Sequence, residues 1–138
     1  VSEAIKQYFE HYTHRDKRTN AEKERVLQRF VETLPAKEAT LLKDISKTHC
    51  IAFRNAYGQL PRRIPDKLRG KSLGEILTAL KGTGYVKLTH RTVNHALTDL
   101  RHFFVWAIRH DHYNGKNPVE GIDFEGVKEK SSEVYTES

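Results

Sequence analysis

Two imidazoles and a carboxylate, His95, Asp99 and His102, stand at positions i, i+4 and i+7. On a helix that spacing puts all three on one face, a set that could be presented to a metal ion. No second periodic segment carries an obvious fourth ligand, and no glutamate is placed as a base. The set therefore reads as a polar contact surface, and neither a metal nor any other cofactor is assigned. His110 and His112 flank Asp111, and imidazoles near a helix end suit the negative end of its dipole. Cys50 has only the adjacent His49 beside it in its own segment, and helix neighbours point apart, so it reads as a buried structural thiol. No phosphate-cradling glycine loop, hydrolase nucleophile turn or paired-carboxylate site occurs. No residue is assigned a catalytic role.

The stronger pattern is cationic. Arg15, Lys17, Arg18 and Lys23 gather at the start of one periodic segment, Lys43 and Lys47 at the start of the next, and Lys87 and Arg91 at the start of the longest. Between them, the stretch 62–71 holds five Lys/Arg against one Asp. Helix N-termini present free N–H groups and a positive dipole end, so cations there reinforce a place for phosphate. The adjoining face of the longest segment carries Arg91, Asn94, His95 and Thr98. Those types donate to phosphates and to base edges in a major groove. A net charge of +6 points to the same anionic class of partner.

Helices must position these residues. Val93, Ala96, Leu97, Leu100, Phe103, Phe104, Ala107 and Ile108 recur at three- and four-residue intervals, the period of one helical face. Thr89 is the expected N-cap, Asn114-Gly115 the expected stop, and Pro118 follows where no helix continues. Trp106 lies off this stripe, and an exposed indole would be sticky. It is expected to lie under the first helix, or under the tail around Ile122 and Phe124. Upstream, Ala4, Ile5, Tyr8, Phe9 and Tyr12 share a face of a helix over Ser2–Tyr12. Thr19 and Glu22 form a capping-box signature for a second helix, closed by Pro35. Leu41, Leu42 and Ile45 are expected to point inward from a connector. Ser46 caps a third helix through Gln59, and Ser72 with Glu75 opens a short one through Leu80. No segment alternates with period two, so the expected fold is all-α.

A chain of 138 residues suits one domain, able to bury roughly two-thirds of its unfolded surface. Hydrophobic content of 37% against 30% charged fits a soluble globular protein. No apolar run is long enough to span a membrane, and no basic-then-apolar leader opens the sequence. One cysteine fits a reducing, cytoplasmic setting. After Pro118 the composition flips, with six acids and two lysines between Glu120 and Ser138. That tail reads as a linker, and a sequence opening at Val1 without Met reads as a piece of a longer chain.

The run Thr89-His-Arg-Thr-Val-Asn-His-Ala-Leu97, then Leu100, Phe103-Phe104-Val-Trp106-Ala107 and Asn117-Pro118, resembles the late helix of the core-binding domain of phage integrases, the tyrosine recombinase family. Leu42-Lys-Asp44-Ile45-Ser46, with Phe53 and Leu60-Pro61, is similar to the family's earlier segment, and Val134-Tyr135-Thr136-Glu137 to the opening of its catalytic domain. The resemblance covers nearly the whole chain, through helical core residues rather than catalytic signatures. It implies a SAM-like orthogonal bundle of four to five helices over 1–118, and a linker over 119–138 leading toward a catalytic domain. It implies duplex DNA as partner, clamped between this domain and its own catalytic domain during integration and excision, with a recombinase oligomer on the DNA in a bacterial or phage-infected cell. By motif, the DNA contacts fall to Arg91, Thr92, Asn94 and His95, with Lys87 and His90 beside them. Arg18, Thr19 and Lys23 follow from the second helix, and Lys47 joins them from the basic start of the third. The family's catalytic residues belong to the other domain, and Tyr135 is not its nucleophile, so this piece is not itself an enzyme. The rival reading is a helical protein-interaction module that uses the His/Trp face of the long helix.

Overall fold

The computed structural model describes residues 1–11 and 17–125, with the side chains of Lys17, Arg18 and Thr19 left outside that description. Five helices occur among the described residues: α1 Ser2–His11, α2 Lys17–Glu32, α3 Lys47–Tyr57, α4 Leu73–Leu80 and α5 His90–Arg109. No strand accompanies them there. One isolated antiparallel bridge joins Pro61 to Lys87. The fold is an all-α bundle, and no helix among the described residues is long and apolar enough to cross a membrane.

The apolar stripe of α5 is the centre of the core, because α1, α2 and α3 all pack on it. Val93, Leu97, Leu100, Phe103, Phe104 and Ala107 are wholly buried. They meet Leu27 and Phe30 of α2 and Cys50 and Phe53 of α3. Each such side chain of Leu or Phe size contributes about 1.5–3 kcal/mol by leaving water. Phe30 sits edge-on to both Phe53 and Phe104, at 5.6 and 6.2 Å between ring centres. A second, smaller core lies under α4: Leu60, Leu68, Leu73, Ile76 and Leu80. Tyr57 and Leu88 touch both cores and join them.

The caps explain where the helices begin. Thr89 Oγ1 accepts the Thr92 N–H at 3.2 Å, and Ser72 Oγ accepts the Glu75 N–H at 3.2 Å. Glu75 returns the bond by accepting the Ser72 N–H at 2.9 Å, which completes a capping box. That bond also holds the Glu75 carboxyl below its usual range. At α3 the reciprocal acceptor is His49 Nδ1, which takes the Ser46 N–H at 3.0 Å.

Four expectations are corrected. The second helix begins at Lys17, so Thr19 lies within its first turn; a cap needs non-helical backbone, which Thr19 does not have. Leu41 is 54% exposed. Thr40 is buried instead, between two short 3-10 turns, and its hydroxyl accepts the Ala36 N–H at 3.0 Å. The long helix ends at Arg109, not at Asn114-Gly115. Asp111 turns the chain at a φ of 62°, a conformation aspartate tolerates, and the N–H groups of His112 and Tyr113 both return to the Ala107 carbonyl. The reason is Tyr113: continued helix would carry it round to the polar face. The turn instead lays its ring 5.1 Å from Phe104 and lets its hydroxyl donate to the Ile45 carbonyl at 2.6 Å. Last, the core does not stop at Pro118. Val119 is fully buried and Ile122 is 3% exposed, so the stretch 119–125 packs as part of the bundle. The stretch 126–138, with the Tyr135 motif, lies outside the described residues.

Candidate nucleic-acid interface

The N-terminal end of α5 carries one part of the cationic pattern, Lys87 and Arg91, with the start of the basic loop joined to it. The turn before it is pinned by the Pro61–Lys87 bridge, where the Arg62 N–H donates to the Val86 carbonyl at 2.9 Å and the Leu88 N–H to the Leu60 carbonyl at 3.0 Å. This pairing runs the start of the basic loop, with Arg62 and Arg63, back along the turn that carries Lys87, with Arg62 opposite Val86. Arg62, Arg63 and Lys87 are exposed. One turn on, Thr92 and His95 are exposed and Arg91 is half-buried. A groove of about 350 Å³ runs alongside, lined by Asn55, Gln59, Lys87, His90 and Phe124 among others. The first-turn N–H groups of α5 add a positive dipole end to these cations.

The polar face behind it belongs to α2 as well as α5. Burial raises the Asp99 carboxyl above its usual range, although Lys23, His102 and His95 pull the other way. His102 is pushed down, by burial first and then by the Lys23 charge. Lys23 thus lies close enough to both to be felt, and the face presents a neutral His102 beside a lysine. No group of three His, Cys, Asp or Glu side chains among the described residues is arranged to hold a metal. Burial pushes the Cys50 thiol up to about 12, which leaves it protonated and inert at neutral pH.

Other residues named from the sequence are placed differently. Asn94 does not face outward as a base reader would. Its Nδ2 donates to the Phe124 carbonyl at 3.0 Å, and its Oδ1 accepts the Phe124 N–H at 2.8 Å. His90 stacks on the Phe124 ring at 3.9 Å, with the planes 14° apart. Lys47 is at the far side. The end of α3 at Gly58 lies against Val93, near the start of α5, so the beginning of α3 is carried to the other end. There Lys47 lines a groove with Tyr113 and Lys116. The side chains of Arg18 and Thr19, and the whole of Arg15, lie outside the described residues. The other N-terminus in the basic region, that of α4, is already filled: Glu32 accepts the Leu73 N–H at 2.8 Å.

Trp106 is 4% exposed, so the rival interaction face has no indole to present. The ring lies under α1, edge-on to Tyr8 at 5.5 Å, as its position off the stripe requires. Its Nε1 meets no acceptor among the described residues.

Sequence reasoning missed the roles of three side chains here. Arg54 donates to the Ile122 carbonyl at 2.9 Å and sits 4.7 Å over the Phe124 ring. Arg101 pairs with Asp123 and reaches the Val119 carbonyl at 3.3 Å. Asn117 completes the lock, donating to the Arg101 carbonyl at 3.1 Å and accepting the Val119 N–H at 3.0 Å. The signal was the apolar spacing of Val119, Ile122 and Phe124, which a linker would not need. Compared with protein-family models, curated proteins and solved structures, the chain matches none.

Proposed function

We propose that this chain is a duplex-DNA-binding domain of the core-binding kind, serving a site-specific tyrosine recombinase whose catalytic domain breaks and rejoins the strands. The observation that carries the reading is the Pro61–Lys87 bridge. It joins the backbone of the basic loop at Arg62 to the turn that carries Lys87 just before α5, so two basic stretches distant in sequence meet near a helix N-terminus. Phosphates are bound at such a place through charge and through free N–H groups together. Arg91, Thr92 and His95 follow on the next turn, where side chains can reach base edges. The integrase-like motif of α5 supplies the family. The partners proposed with it are the protein's own catalytic domain and further recombinase copies on the DNA.

A mobility shift with a short duplex tests the reading. If about five phosphates are contacted, log K falls with log salt at a slope of about −4 to −5. Arg91→Ala weakens binding by about 1–3 kcal/mol if its contact is a bidentate base contact. Binding that does not change between low and physiological salt would sink the proposal.

A further inference from the structure

The stretch 119–125 is attached in two ways. Val119 and Ile122 are anchored in the main core. Beyond Ile122 the hold is mixed and lies near the surface: the half-buried Phe124 ring packs at the edge of the main core, and the other contacts are polar. Phe124 exchanges two backbone hydrogen bonds with the Asn94 carboxamide, its ring lies against His90 and Arg54, and Asp123 pairs with Arg101. Asp123 and Phe124 remain half-exposed, and Glu125 is exposed. The polar groups that grip this segment are of types that also grip DNA: a carboxamide that donates and accepts, an imidazole, and two guanidiniums. The segment also sets the Asp123 carboxylate on Arg101, midway along α5.

We propose that residues Asp123–Glu125 are an intramolecular competitor of DNA. They occupy a second contact patch formed by Arg54, His90, Asn94 and Arg101, and a bound duplex displaces them by peeling the chain back to Ile122. This rests on the DNA-binding reading. The buried Val119 and Ile122 keep the released segment close, so the competition is reversible and the bundle stays folded. Apparent affinity is reduced by the fraction of molecules whose patch is free, and the coupling is reciprocal: what loosens the segment tightens DNA binding.

Hydrogen exchange at the Phe124 amide, measured with and without a short mixed-sequence duplex, follows the segment directly. The expected result is faster exchange when the duplex is bound. Phe124→Ala is expected to bind the duplex about tenfold more tightly if the segment is docked about nine-tenths of the time. Asp123→Asn, which keeps the ring, should shift affinity in the same direction by less. A salt-dependent shift with the Phe124 amide still fully protected overturns the competition and leaves the DNA reading standing. Weaker binding by both variants overturns it as well. A chain that shifts no duplex at low salt overturns the DNA reading, and this proposal with it.

Discussion

The two ends of α5 are closed by different means. At the C-terminal end Trp106 is sealed under α1 by rings, with Tyr8 edge-on and His112 stacked at 4.8 Å. At the N-terminal end the cover is the segment around Phe124, held by two hydrogen bonds exchanged with the Asn94 carboxamide and by a stacked imidazole. The first closure draws on apolar area, at roughly 25 cal/mol per Å² removed from water. No polar ligand can substitute for it. The second adds to the half-buried Phe124 ring polar groups whose partners can be exchanged one for one. One helix therefore carries a permanent joint at one end and a surface suited to exchange at the other.

The largest expected effect breaks the permanent joint. Trp106→Ala should cost about 3–5 kcal/mol of stability by opening a cavity under α1, read by urea unfolding. A loss below about 1 kcal/mol, the size of an ordinary substitution, would mean that the ring does not hold α1. Asn94→Ala should cost less, about 1–3 kcal/mol for two hydrogen bonds, with the Phe124 amide losing its protection. An unchanged melting curve would show that the polar end contributes nothing to stability. Lys87→Ala should leave stability within about 0.5 kcal/mol and make the salt slope of DNA binding shallower by about one. An unaltered slope would remove Lys87 from the interface.

The smallest effect concerns Asp99. Its carboxyl is raised by burial, so the folded state holds that proton more readily than the unfolded chain. The stability this contributes is full below the ordinary carboxylate pKa and is lost as pH rises through the raised value. Asp99→Asn should therefore raise Tm slightly at neutral pH and leave it unchanged in acid. A lower Tm at neutral pH would show that attraction to Lys23 outweighs the burial.

Periodicity and caps were legible in the sequence. The stripe from Val93 to Ala107 and the Thr89 and Ser72 caps follow from local spacing, because one helical face must be dry and one must not, and the burial of Trp106 follows from the cost of exposing an indole. The cationic start of α5 was legible for the same reason. What spacing could not give was any pairing across the chain. Asn94 looked like a free base reader because nothing near it in sequence claims its amide; Phe124, 30 residues on, does so. Arg54 and Arg101 carry no sequence signal of their own; their roles appear only once the chain after Pro118 folds back on them.

The sequence by itself determined that helices form, where most of them start, and which face of each is apolar, since these depend on neighbours within a turn or two. The tertiary structure alone decided which polar groups are left for a partner. That depends on which side chains distant segments have already engaged, and hydrogen bonds such as those between Asn94 and Phe124 exist only once the core has brought the two together.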